Sequence, residues 1–347
     1  MGSPDHSAAG SDPAEPLAQL GEWELIRRLG AFAAPGRFDD DAALMLPPAG
    51  MALVVNTDVL VEGVHFSEAT TAPADVGWRA TAANLSDLAA MGCTACLGIT
   101  VGLTTPGSTP WGWVQGVYEG IEEALGRHGG ELLGGDCSGG QQRQLAITAL
   151  GAVDPAQAIH RRDGKPGDLL VASGPHGLSR LGLALLLGDL DKTPNSPIPD
   201  GLRDRAIEAH QRPRPRFDVV QTLQRSQPQG SNWRVGGTDS SDGLVAAAGA
   251  IAAASGCCAA LDRSRLPLDP AMTCLPQAEA WCLAGGEDFE LVLALEPVWA
   301  RALCTAHPDC QVVGELQPTG SNRRGAVVWV DSGTPIAPEL SGYRHFG

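Results

Sequence analysis

Apolar positions along the chain alternate between a strand-like and a helix-like spacing. The run Leu53-Val54-Val55 is apolar and β-type, then stops in Asn56-Thr57-Asp58, three oxygen-bearing side chains, with His65 further on after a turn at Gly63. A buried strand that ends this way delivers oxygens to a sheet edge, where ligands of α/β proteins bind. The same logic recurs at Leu132-Leu133-Gly134-Gly135-Asp136 and at Thr238-Asp239-Ser240-Ser241-Asp242-Gly243. Helical spacing predicts helices over 22–29, with Trp23, Ile26 and Leu29 on one face and Gly30 as its stop, and over 73–91, closed by Gly92. It predicts further helices over 111–128, around 181–187 and over 244–254. Strands are expected over 42–46, 97–103, 144–153, 169–172 and 291–295. Asp239 or Ser240 also reads as an N-cap of the helix at 244. Residues 221–233 read as a polar connection, and Arg212-Pro213-Arg214-Pro215-Arg216 as a stiff basic surface segment.

With 347 residues the chain suits two domains. The expected division is a flexible tail over 1–20, an N-terminal domain over 21–153 and a C-terminal α+β domain over 154–347. Hydrophobic content of 43% with 44 glycines fits a turn-rich α/β enzyme. The net charge of −16 repels nucleic acid and anionic membranes, so neither is expected as a partner. It would repel a phosphorylated substrate as well, unless bound cations reverse the field locally. Nine scattered cysteines, with one Cys93-Thr94-Ala95-Cys96 and no second CxxC, read as reduced thiols of a cytoplasmic protein.

Several chemistries are excluded. Gly164-Lys165 is followed by proline, so there is no Walker A loop, and no G-x-S-x-G or HExxH occurs. What remains is oxygen. Asp39-Asp40-Asp41 puts like charges side by side, each close pair costing roughly 4 kcal/mol at ~4 Å and an effective dielectric near 20. Asn84 and Asp87 share one face of a mostly apolar helix, where a carboxylate needs a partner or a metal. Hard oxygen ligands select Mg²⁺, Ca²⁺ or Mn²⁺, and magnesium held by carboxylates points to nucleotide or phosphoryl chemistry.

Asn84-Leu85-Ser86-Asp87-Leu88-Ala89-Ala90-Met91-Gly92, Gly134-Gly135-Asp136, Ser241-Asp242-Gly243 and Gly285-Gly286-Glu287-Asp288-Phe289-Glu290-Leu291 occur in that order. Together with Gly63-Val64-His65-Phe66 and the closing Gly342-Tyr343-Arg344-His345-Phe346, they resemble the thiamine-monophosphate kinases of the aminoimidazole ribonucleotide synthetase-like superfamily. The resemblance implies a two-domain fold whose N-terminal sheet pairs with that of a second subunit into a dimer-spanning barrel. It also implies ATP bound between the domains and several Mg²⁺ ions, and leaves any requirement for K⁺ open. Carried over by motif, Asp41, Asn56, Thr57, Asp58, Asp87, Asp136, Asp239 and Asp242 ligate magnesium. Tyr118, Gly135, Asp136, Arg161 and Ser241 contact ATP, and His65, Glu287 and Tyr343 line the thiamine-phosphate pocket. Two positions depart from the family pattern: Asp39 stands where a glycine is usual before Asp-Asp, and Asn56 where a hydroxyl residue is usual. The reaction implied is direct γ-phosphoryl transfer from ATP to thiamine monophosphate. The alternatives are another ATP-using member of the superfamily, such as a selenophosphate synthetase, and a non-catalytic binder of metal or thiamine phosphate.

Overall fold

The computed structural model describes residues 12–38, 41–190, 198, 199, 201–320, 323–337, 340 and 342. Its helices are α1 (Leu17–Leu20), α2 (Glu22–Leu29), α3 (Pro73–Ala90), α4 (Trp111–His128), α5 (Leu178–Leu186), α6 (Leu202–Gln211), α7 (Phe217–Arg225), α8 (Leu244–Ala254), α9 (Ala278–Ala284) and α10 (Pro297–Ala306). The strands are β1 (Ala52–Val61), β2 (Cys96–Thr105), β3 (Leu132–Gly139), β4 (Gln144–Val153), β5 (Leu169–Ala172), β6 (Gly236–Asp239), β7 (Cys257–Leu261), β8 (Leu291–Leu295), β9 (Gln311–Pro318) and β10 (Val327–Trp329). They form two units, residues 1–88 with 95–152, and residues 89–94 with 153–347.

In the first unit a four-stranded sheet runs β1-β4-β2-β3, with β2 parallel to β3 and antiparallel to β4. One face is apolar: Leu145, Ile147 and Ala149 of β4 and Ile99, Val101 and Leu103 of β2 are all buried. Helices α3 and α4 meet backbone to backbone. A Cβ on Gly77 would come within 1.8 Å of the Val117 carbonyl oxygen, and one on Gly120 within 1.8 Å of that of Ala74. No other residue type permits that approach, and it fixes α3, the carrier of Asn84 and Asp87.

The second unit has a six-stranded sheet, β10-β7-β9-β5-β8-β6, antiparallel except for the β10–β7 pair. The Ala-rich α8 packs its Leu244, Ala248 and Ile251 into one core with Leu170, Val292 and Val313. A second cluster joins α5 and α6 through Leu181, Leu185, Leu202 and Ala206.

Several expectations need correction. The presumed tail is docked from residue 12 onward: Leu17 is buried, and the amides of Leu17 and Ala18 bond to the carbonyls of Thr109 and Gly107 at 3.0 and 2.8 Å. On α2 the buried face is Leu25 and Leu29, while Trp23 is 87% exposed. Gly30 is right-handed and leads into a further 3₁₀ turn rather than stopping the helix. Residues 42–46 pair with neither edge of the β1-β4-β2-β3 sheet and so are not in a strand, and Leu44 and Leu46 point into solvent. Within 221–233, α7 extends to Arg225 and buries Val219, Val220 and Leu223. Arg216 is buried rather than a surface cation.

Candidate active site

β1 shows strict alternation of exposure along its length, so successive side chains take opposite faces. Asn56 and Asp58 share the face near α3, whereas Thr57 lies on the other, its hydroxyl 2.8 Å from that of Thr148. Asn56 Nδ2 donates to Asn84 Oδ1 at 3.2 Å and to Asp87 Oδ2 at 2.9 Å. The Asp58 amide donates to the same Asn84 Oδ1 at 3.1 Å, and Asn84 Nδ2 is anchored on the Ala80 carbonyl at 2.9 Å. Both acceptors facing Asn56 demand its amino group, so the orientation of its amide is dictated. Asn56 Oδ1 is thereby left buried without a hydrogen-bond partner. Burial also pushes the Asp58 carboxyl above the usual carboxylate range. An orphaned buried oxygen next to an inward-facing carboxylate is a seat for a hard cation.

The other residues of this unit are more dispersed. Asp41 is exposed. Asp136 lies on β3, across the sheet from β1 by three strand spacings, roughly 14 Å. It accepts from Ser138 Oγ at 3.2 Å. At Gly135 a Cβ would sit 2.0 Å from the Val101 carbonyl oxygen, so the backbone before Asp136 runs closer to β2 than any side chain allows. Tyr118 is 2% exposed and packs on Phe32 with ring centroids 5.7 Å apart. His65 Nδ1 accepts from the Val61 amide at 3.0 Å, which puts the neutral ring's proton on Nε2.

In the second unit, Asp239 ends β6 and accepts from Ser241 Oγ at 3.4 Å. Arg161 donates to Thr238 Oγ1 at 3.1 Å, beside Asp239. The expected cap on α8 is absent: its N-cap is Gly243 and no side chain bonds there. Ser240 is fully buried with no partner for its hydroxyl, and Asp242 is exposed. Glu287 stands in a turn whose amide donates to the Ser241 carbonyl at 2.6 Å, so the Glu287 turn and the Asp239–Asp242 loop are one fixture. Gly342 lies against Asp242, where a Cβ would come within 2.5 Å of the Asp242 carbonyl oxygen. Tyr343 lies outside the described residues.

Neither unit by itself gathers its share of the expected set into one carboxylate cage. Among the described residues, no three Asp, Glu, His or Cys side chains are placed to hold a metal between them. Magnesium does not require such a cage. It commonly takes one or two carboxylates and completes its shell with water and substrate phosphates. Asp58, Asp87 and the free oxygen of Asn56 fit that pattern. The residue that sequence reasoning left off the site is Asn84, fully buried and holding both Asn56 and Asp58. Its signal was an amide on an otherwise apolar helix, one turn before an aspartate.

A family model described as AIR synthase related protein, N-terminal domain, matches residues 39–153. Its C-terminal counterpart matches 165–326. The thiamine-monophosphate kinase of Prochlorococcus marinus is 49% identical over 304 residues, 87% of this chain and 90% of that protein. The crystal structure of thiamine-monophosphate kinase from Stenotrophomonas maltophilia K279a superposes with a TM-score of 0.73 at 29% identity, covering 89% of this chain and 95% of that one. A structure described as AaThiL complexed with AMPPCP and TMP superposes with a TM-score of 0.71 at 27% identity, covering 96% and 99%. Two family domains in sequence, and a relative identical at half its positions across most of the chain, show that the chain belongs to the thiamine-monophosphate kinases of the AIR synthase related family.

Proposed function

We propose that the chain transfers the γ-phosphoryl group of ATP to thiamine monophosphate, giving thiamine diphosphate and ADP. The observation that carries this reading is the Asn56–Asp58–Asn84–Asp87 knot, with its orphaned Asn56 oxygen, in a chain of this family. Asn56, Asp58 and Asp87 hold magnesium from the first unit. Asp41, Thr57 and Asp136 contribute further ligands there, and Asp239 and Asp242 do so from the second. Several ions bound at these residues supply charge neutralisation between two phosphates that otherwise repel. Gly135, Asp136, Arg161 and Ser241 contact ATP. His65, Glu287 and Tyr343 make the thiamine-phosphate contacts, the tyrosine by stacking. Tyr118 contacts ATP as well.

No residue has to act as general base. The acceptor is a phosphate monoester, already mostly dianionic at neutral pH because its second pKa is ~6. The protein's part is placement of two substrates in line. Transfer is direct, so incubation with γ-labelled ATP alone leaves the protein unlabelled.

The functional unit is a cytoplasmic homodimer. Leu53, Val55 and Val59 on the open face of β1, with Leu44 and Leu46 before it, present exposed apolar side chains. The sheet of a second copy, closing a barrel, would bury them. Among the described residues no helix is long and apolar enough to cross a membrane.

An assay offering thiamine, thiamine monophosphate and thiamine diphosphate with ATP and Mg²⁺ tests the reading. Turnover with the monophosphate alone is expected. Turnover with thiamine in its place would assign a different kinase, and ligand binding without ATP consumption would leave a non-catalytic binder.

A further inference from the structure

The turn that leads into β8 carries Glu287, Asp288 and Glu290, of which Glu287 alone has a proposed ligand. Glu287 and Phe289 hold φ of 57° and 51°. Each left-handed residue that bears a side chain costs of order 1–2 kcal/mol. Two of them flanking one aspartate persist only where neighbouring contacts over-determine the backbone.

Those contacts can be named. Glu287 N donates to the Ser241 carbonyl at 2.6 Å. Phe289 is buried. Glu290 accepts from Arg216 Nη1 at 2.5 Å and from Ser173 Oγ, while its carbonyl accepts from Ser240 N at 2.8 Å. Between them, Asp288 Oδ2 accepts from Gly177 N at 2.8 Å and Oδ1 from Ser179 N at 3.0 Å. These are the amides of the N-cap and of the second residue of α5, a helix whose N-cap, Gly177, offers no side chain. A carboxylate at that end complements both the orphan donors and the helix dipole. Asp288 therefore caps a helix more than a hundred residues away in sequence, and the same two bonds pin the middle of the strained turn.

We infer that Asp288 is a positioning residue: by fastening the turn to the start of α5 it holds Glu287 in the orientation that meets thiamine monophosphate. The inference rests on the reading of Glu287 as a substrate contact. The Ser240–Ser241 side keeps its own bonds, through Ser240 N to Glu290 and Gly243 N to the Ser240 carbonyl at 3.1 Å, so its ATP contact survives loss of Asp288.

Steady-state kinetics of D288N, E287Q and the double variant test it, with both substrates varied. Asparagine keeps the size of Asp288 and one acceptor but loses the charge and the second bond. D288N is expected to raise KM for thiamine monophosphate about 10-fold, near the cost of a misplaced charged hydrogen bond, with KM for ATP unchanged. The double variant should be no worse than E287Q, because Asp288 acts through Glu287. If E287Q raises that KM while D288N does not, or if the two effects multiply, the positioning role is overturned and the substrate reading of Glu287 stands. If E287Q itself leaves KM unchanged, the reading of Glu287 is what fails, and the positioning role with it. Should D288N be recovered unfolded, D288E, which keeps the charge and alters the reach, carries the same expectation and the same refutation.

Discussion

At the end of β1, Asn56 and Asp58 face the protein with one oxygen left without a partner and one carboxylate pushed up in pKa by burial. In the turn before β8, burial pushes the Asp288 and Glu290 carboxyls up as well, but there each has donors of its own, one two helix amides and the other Arg216 and Ser173. The side chains are of one kind and their motifs look equally acidic in sequence. What separates the two is whether the fold supplies the donors. At the β1 end the fold supplies no donor to the Asn56 oxygen. In the β8 turn the fold supplies the donors for Asp288 and Glu290 itself.

That contrast can be broken in several ways. The largest effect is expected from Asp87→Ala. It should lower kcat about 10³-fold, roughly 4 kcal/mol, while circular dichroism stays native. A folded, fully active variant would take Asp87 out of the site. Arg216→Met should act in the opposite sense, on stability first. Removing one partner of a buried pair costs about 3–5 kcal/mol, which for a unit of this size is roughly 10 °C in Tm. An unchanged melting curve would mean that Glu290 finds another partner. Asn84→Ala leaves every proposed ligand in place but unties Asn56 and Asp58, so kcat should fall about 10–100-fold, as for other groups that orient metal ligands. Wild-type activity would remove its orienting role. The smallest effect is a pH slope. Burial, with Glu290 and Glu287 nearby, raises the Asp288 carboxyl to about 7 against the pull of its two amide bonds. The folded state then holds a proton that the unfolded chain has released, so stability falls as pH rises from ~4 to about 7. The term is present in full below the unfolded value and lost above 7. D288N should flatten that part of the stability profile, and an identical slope in the two proteins would assign it to other groups.

Much of this was legible in the sequence, and the failures share a cause. Helices α4 and α8 and strand β4 follow from spacing alone, because each buries one stripe or one face within its own unit. The Asn84–Asp87 pairing was visible as two polar residues a turn apart on an apolar helix. Residues 42–46 misled because an apolar run becomes a strand only where it pairs with an edge, and this run pairs with neither β1 nor β3. Arg216 misled because Arg-Pro repeats look solvated, and nothing local announces that Glu290, distant in sequence, needs a buried cation. Thr57 adjoins Asn56 and Asp58 in sequence, yet the period of two sends it to the opposite face, so the ion proposed for it is not theirs. The Asp39-Asp40-Asp41 run stays open, since Asp39 and Asp40 lie outside the described residues.

The most direct test of the central claim compares wild-type protein with Asp58→Asn for thiamine diphosphate formed from ATP and thiamine monophosphate in Mg²⁺. Asparagine keeps the shape of Asp58 and removes the charge that a cation would answer. Wild-type protein is predicted to form thiamine diphosphate and ADP in equal amounts and the variant, folded, to form almost none. Equal yields from the two proteins, or no thiamine diphosphate from wild type, would contradict the account.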